Sequence, residues 1–153
     1  MGPVPLVIFV ANKVRLNRKA GLVDHPVFAK TIGFGGNGNP TTDVGVGGGR
    51  LVVDGSFADL PYSIVDAPDG NGGIVSEDDV GLRRAFTAGD EMGVKVAASV
   101  SPEVIGDIIH QPDFESFLHK LQDGPMKTIP EWVNGHFTQL TGPNDPLFML
   151  HLA

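Results

Sequence analysis

Cysteine is absent from all 153 residues. No disulfide can tie the fold, and no thiolate is available as metal ligand or nucleophile. That absence does not fix a compartment. Long apolar runs are missing too. The most apolar stretch, Val4-Pro-Leu-Val-Ile-Phe-Val-Ala11, is too short to span a bilayer. No basic run precedes it, and Lys13, Arg15, Arg18 and Lys19 follow it, a poor match to a secretory leader. A buried strand is the plainer reading. Positive charge is scarce: 11 Lys and Arg against 18 Asp and Glu give a net charge of -7 and a pI near 5.0. This balance argues against nonspecific nucleic-acid binding, which needs a positive footprint. Paired histidines are missing as well. None of His25, His110, His119, His136 and His151 lies three or four residues from another, so no helix turn offers two imidazoles and a metal site would need distant segments to converge. There is no Gly-x-Ser-x-Gly nucleophile turn and no Walker loop. The acidic cluster Glu77-Asp-Asp79 lacks EF-hand spacing and reads as a solvated turn and helix start.

What is abundant is glycine and proline, 21 and 12 residues, so much of the chain is expected in loops. Turn signals stand at Asn37-Gly, Asp54-Gly and Asp69-Gly, and residues 24 to 75 read as loop-dominated. Short strands fit Arg50 to Val53 and the neighbourhood of Tyr62 to Val65. Gly33-Phe-Gly-Gly-Asn-Gly38 has the spacing of a dinucleotide fingerprint. No strong strand precedes it, however, and Pro40-Thr-Thr-Asp follows where a helix should begin, so it reads as a glycine-rich loop. Ser76 is placed to cap a short helix. Ser101-Pro-Glu opens a helix with Ser as N-cap and Pro in the first turn. Its Val104, Ile105, Ile108 and Ile109 form one stripe expected to be buried. A second helix runs from Pro112 or Asp113 to about Gln122, with Phe114, Phe117, Leu118 and Leu121 on one face, and Asp123-Gly124 ends it. Asn144 or Asp145 caps a last helix with Pro146 in its first turn. His119 is expected to be exposed, His136 to be a loop or surface residue, and Trp132 to pack in the core.

Three blocks in the second half carry a resemblance. They are Phe114-Glu-Ser-Phe-Leu-His-Lys-Leu-Gln-Asp-Gly-Pro-Met-Lys-Thr-Ile-Pro130, then Gly135-His-Phe137, then Pro143-Asn-Asp-Pro-Leu-Phe-Met-Leu-His-Leu152. Together they resemble the second copper-binding half, copper B, of the tyrosinase and catechol oxidase family. Upstream, His25-Pro-Val-Phe28, Gly33-Phe-Gly-Gly-Asn-Gly-Asn-Pro40 and Leu82-Arg-Arg-Ala-Phe86 resemble segments of the same family. Gly48-Gly-Arg-Leu-Val-Val-Asp-Gly-Ser-Phe57 is similar to its Gly-Arg-Cys-Val-x-Asp-Gly-Pro-Phe, with Leu51 for the Cys and Ser56 for the Pro. The resemblance implies a mainly α fold with long Gly/Pro-rich loops and a few short strands, a partial tyrosinase-like helical bundle. It divides the chain into a divergent segment, 1-23, and a truncated copper-B region, 24-153. On this resemblance the first copper half is not expected within residues 1-23.

The resemblance also implies a chemistry: oxygen-dependent oxidation of phenols or catechols at a type 3 dicopper centre, each copper held by three imidazoles. In the family, Gly-Pro is followed by His-x-x-x-His, and the last segment is Asp-Pro-x-Phe-x-x-His-His. The spaced histidines fall here on Met126 and Pro130, and the final one on Leu152. A thioether favours Cu(I), whereas proline and leucine offer no donor. His151 remains as a weak metal candidate. The family ligand stands one residue later, roughly 100 degrees around a helix, so His151 is expected to point away from the metal position. Lys127, where the family often has Asn, adds an unfavourable cation. The expectation is a family member with no catalytic residue of its own and no copper bound, taking a phenolic small molecule only if active. No nucleic-acid or membrane partner is implied. The alternative is a non-catalytic interaction module that pairs with itself or a full-length relative through exposed helix faces.

Overall fold

The computed structural model describes residues 22–24, 26–45, 48–58, 81–87, 90–139 and 141–152. The expected strand at 4–11, the strand near Tyr62, the cap at Ser76, the acidic cluster and His25 lie outside these residues. Among the described residues the fold is mainly α, with one two-stranded sheet and long loops. Among the described residues no helix is long and apolar enough to cross a membrane.

The described residues from 22 to 58 are mostly loop and turn, in keeping with their glycine content. Short 3-10 turns at Leu22–Asp24 and Pro26–Phe28 lead into the glycine-rich segment. Strand β1 (Arg50–Leu51) pairs antiparallel with β2 (Arg83–Arg84), Arg50 opposite Arg84 and Leu51 opposite Arg83. The expected strand at Arg50 to Val53 is thus shorter, although the Val52 amide still donates to the Leu82 carbonyl at 2.7 Å.

Five helices follow: α1 (Asp90–Ser99), α2 (Pro102–Ile109), α3 (Phe114–Asp123), α4 (Pro125–Val133) and α5 (Pro146–Leu152). The cap at Ser101 stands where the sequence places it, and Asp113, expected at the start of the next helix, is that helix's cap. Ser101 accepts from the Val104 amide, and Asp113 from the Ser116 amide. Each cap satisfies one of the four amides that a helix start leaves unbonded. Nothing in the sequence pattern marks α1, whose Gly93 is a poor helix former. Val96 and Val100 are fully buried in the common core, and this burial supplies what propensity lacks.

Two expected burial patterns are corrected. In α2 only Ile108 of the stripe is buried, while Ile109 is 65% exposed. In α3 no residue is fully buried, and Phe114 is 74% exposed. These two helices meet each other and the edges of α1 and α4, so a one-sided contact covers only part of each apolar face. Pro130 lies inside α4, although proline ordinarily disrupts a helix interior. Ile129, Trp132 and Val133 bury that helix from within the core, and packing of this kind overrides a local breaker.

The core gathers on Trp132. Its indole stacks on Phe86, with centroids 4.6 Å apart, and meets Phe28 edge-on at 5.4 Å. Phe28 and Phe86 meet edge-on at 5.1 Å. Each such aromatic pair adds roughly 0.5–1.5 kcal/mol beyond area burial. Trp132 therefore packs in the core, as its sequence context suggests.

Candidate functional site

The positions where the family places copper-B ligands lie on α4 and α5, and two devices fix these helices. The first is a set of caps on the C-terminal carbonyls of α4. Thr87 donates its hydroxyl to the Glu131 carbonyl at 2.8 Å and its amide to the Trp132 carbonyl at 2.8 Å. The Ala85 amide donates to the Val133 carbonyl at 3.3 Å. A helix end leaves such carbonyls unbonded, and here the chain after β2 supplies the donors.

The second device is a buried ion pair. Arg84 forks onto Asp145, with Nε and Nη2 each 2.8 Å from a carboxylate oxygen, and both side chains are fully buried. The same guanidinium donates through Nη1 to the carbonyls of Phe34 at 3.0 Å and Gly35 at 2.7 Å. Asp145 also accepts from the Leu147 amide at 2.9 Å, at the start of α5. One cation thus ties the glycine-rich loop to the last helix. That loop turns its carbonyls toward a guanidinium, which is the wrong polarity for cradling a phosphate. Its glycines are there for space and conformation. Gly35 has φ +82°, and a Cβ on Gly38 would stand 2.3 Å from the Arg50 carbonyl oxygen. Sequence reasoning missed the pair, because Arg84 and Asp145 are 61 residues apart. The Leu82 to Phe86 and Asp145-Pro blocks were noticed separately, and nothing local joined them.

Three residues stand where the resemblance would put copper-B ligands. Met126 and Pro130 lie on α4 and are half-buried. Leu152 ends α5 and is 58% exposed. His151 is turned the other way and is 8% exposed. Its Nε2 is 3.3 Å from the Met126 carbonyl oxygen, and its ring meets Phe137 edge-on at 5.6 Å. Its Nδ1 is buried without a hydrogen-bond partner. Desolvation holds its pKa below the ordinary histidine value, with the contact to the Met126 carbonyl opposing that shift. The imidazole is therefore neutral near pH 7, and the contact to a carbonyl requires the proton on Nε2. This leaves one lone pair, on Nδ1, facing protein.

Among the described residues no other histidine joins His151 in a metal-holding group. His119 is exposed and 3.9 Å from Glu115 on its own helix. His110 is exposed and uses Nδ1 on the Gly106 carbonyl. His136 lies in the 3-10 turn Gly135–Thr138, between helices as a loop residue would, but at 6% exposure it is buried rather than at the surface. That turn is held against β2, so the ring sits beneath the chain rather than on it. Among the described residues no group of three His, Cys, Asp or Glu side chains is placed to hold a metal ion. A thioether, a pyrrolidine and an isobutyl group are not the nitrogen set that a copper pair requires. The residues present do not fit the metal.

Comparisons with known proteins agree on one family. The tyrosinase-like protein phomQ1 of Diaporthe leptostromiformis is 32% identical over 131 residues, 84% of this chain and 34% of that protein. The tyrosinase ustQ of Aspergillus flavus is 33% identical over 132 residues, 86% of this chain and 35% of its own length. The tyrosinase-like protein phomQ2 of D. leptostromiformis is 31% identical over 133 residues, 86% of this chain and 32% of its own. The chain spans about a third of the length of these relatives. No family model matches it, and no solved structure does.

Proposed function

From the premise that this chain is related to the tyrosinase family, we propose that it is a member whose copper-B position has lost its metal and that it does not itself oxidise phenols or catechols. Residues 24–153 correspond on this reading to the copper-B region, and 1–23 to a divergent segment. The observation that carries the proposal is the donor set. Met126, Pro130 and Leu152 occupy the three ligand positions, and the neighbouring His151 is buried on the Met126 carbonyl. The ancestral reaction, oxygen-dependent phenol or catechol oxidation at a dicopper centre, has no residue at these positions to carry it.

The test is metal content together with turnover. The chain purified from copper-supplemented medium is expected to hold well under one copper per molecule and to show no catechol oxidation above a buffer control. Two tightly held coppers with diphenol turnover would overturn the proposal.

A second reading is favoured by exposed apolar side chains. Met149 and Leu152 on α5 are 57% and 58% exposed, and Ile109 and Phe114 are 65% and 74% exposed. Apolar faces of this kind suit association with another copy of the chain or with a full-length relative. Sedimentation of the purified chain tests it. A concentration-dependent oligomer that M149K/L152K dissolves supports the reading, and a chain that stays monomeric at all concentrations, alone and mixed with a full-length relative, refutes it.

A further inference from the structure

Pro130 and His151 share one atom. In an α-helix the carbonyl of residue 126 meets the amide of residue 130. Proline has no amide hydrogen, and its ring crowds the carbonyl four residues back. That carbonyl belongs to Met126, and His151 Nε2 stands 3.3 Å from it. We infer that His151 and Pro130 are a compensating pair: the imidazole of α5 supplies the hydrogen-bond donor that proline removes from α4, and so pins the last helix onto the fourth.

Three observations carry this. Pro130 is inside α4, with three more helical residues after it, rather than in the first turn where its missing amide would cost nothing. The donor comes from a side chain 25 residues away in sequence. The ring is buried and the contact is part-buried, so water competes less freely for the carbonyl, and a backbone carbonyl shielded from water without a donor is costly. The histidine that family reasoning offers as a metal candidate thus has its Nε2 committed to holding the fold. The inference rests on helix geometry and stands whether or not copper binds elsewhere.

The test is a double-mutant cycle on the full chain with P130A, which restores an amide at 130, and H151F, which keeps a ring against Phe137 but removes the donor. In the Pro130 background H151F is expected to lower the melting temperature by about 2–6 °C. In the P130A background the same change is expected to cost less than half of that. Equal losses in both backgrounds would overturn the pairing. Nitrogen chemical shifts of His151 in the unmodified chain give a second readout that needs no variant. The Nε2–H tautomer is expected, with a slowly exchanging proton, and a dominant Nδ1–H tautomer would sink the inference.

Discussion

Replacing Arg84 by Met removes a guanidinium from a place with no solvent. Asp145 keeps its charge, its side chain fully buried, with the Leu147 amide as its remaining named donor. Removing one partner of a buried ion pair costs about 3–5 kcal/mol, because the other charge is left uncompensated. The carbonyls of Phe34 and Gly35 lose their donor in the same step. Domains of this kind are stable by about 5–15 kcal/mol, so R84M removes a large share. At roughly 2–4 °C per kcal/mol for a chain of this size, the melting temperature falls by about 6–20 °C. Trp132 is the one tryptophan and sits in the core, so its fluorescence during urea unfolding reads the loss directly. The double variant R84M/D145N removes both charges and keeps an acceptor for the Leu147 amide. It is expected to recover at least half of what R84M loses. If R84M unfolds within about 1 kcal/mol of the parent, or the two substitutions simply add, the pair is not what holds the loop to α5.

Burial lowers the His151 pKa, so the folded chain resists protonation there more than the unfolded one. Its contribution to stability is complete above the ordinary histidine value of 6.5 and is lost as pH falls from that value toward the depressed folded one. Urea midpoints from about pH 7.5 to about pH 5.5 should fall more steeply for the parent than for H151F, and equal slopes would contradict the burial argument. Ser101→Ala removes the cap of α2 and should cost about 0.5–2 kcal/mol, read as loss of helical circular dichroism at lower temperature. Trp132→Ala empties the centre of the aromatic trio and should cost about 3–5 kcal/mol, measured by calorimetry because the fluorophore is gone. A loss below about 1 kcal/mol would mean the core closes around the gap.

Part of this fold is readable along the chain. The capped starts of α2, α3 and α5 rest on Ser101, Asp113, Asp145 and neighbouring prolines, and a cap acts within three residues. The loop character of 26–45 and 48–58 follows from glycine and proline. The exposure of His119 and the packing of Trp132 were legible too. Three features were not. Helix α1 has no strong local signal and owes its form to Val96 and Val100 in the core. The burial of His136 depends on β2 passing over its turn. Pro130 reads as a breaker on every local rule and yet sits in a helix.

For the candidate site, the resemblance together with the residue types identifies which donors are replaced, since proline and leucine side chains have no lone pair to offer and methionine has only a soft thioether. Methionine, proline and leucine at 126, 130 and 152 are facts of the sequence. The direction each neighbour faces, and the use to which the remaining imidazole is put, came from contacts across long separations. Arg84 meets Asp145 over 61 residues and His151 meets Met126 over 25. Hydrogen bonds and burial of that range depend on how helices are set against one another, and the pattern within any one segment carries no record of it.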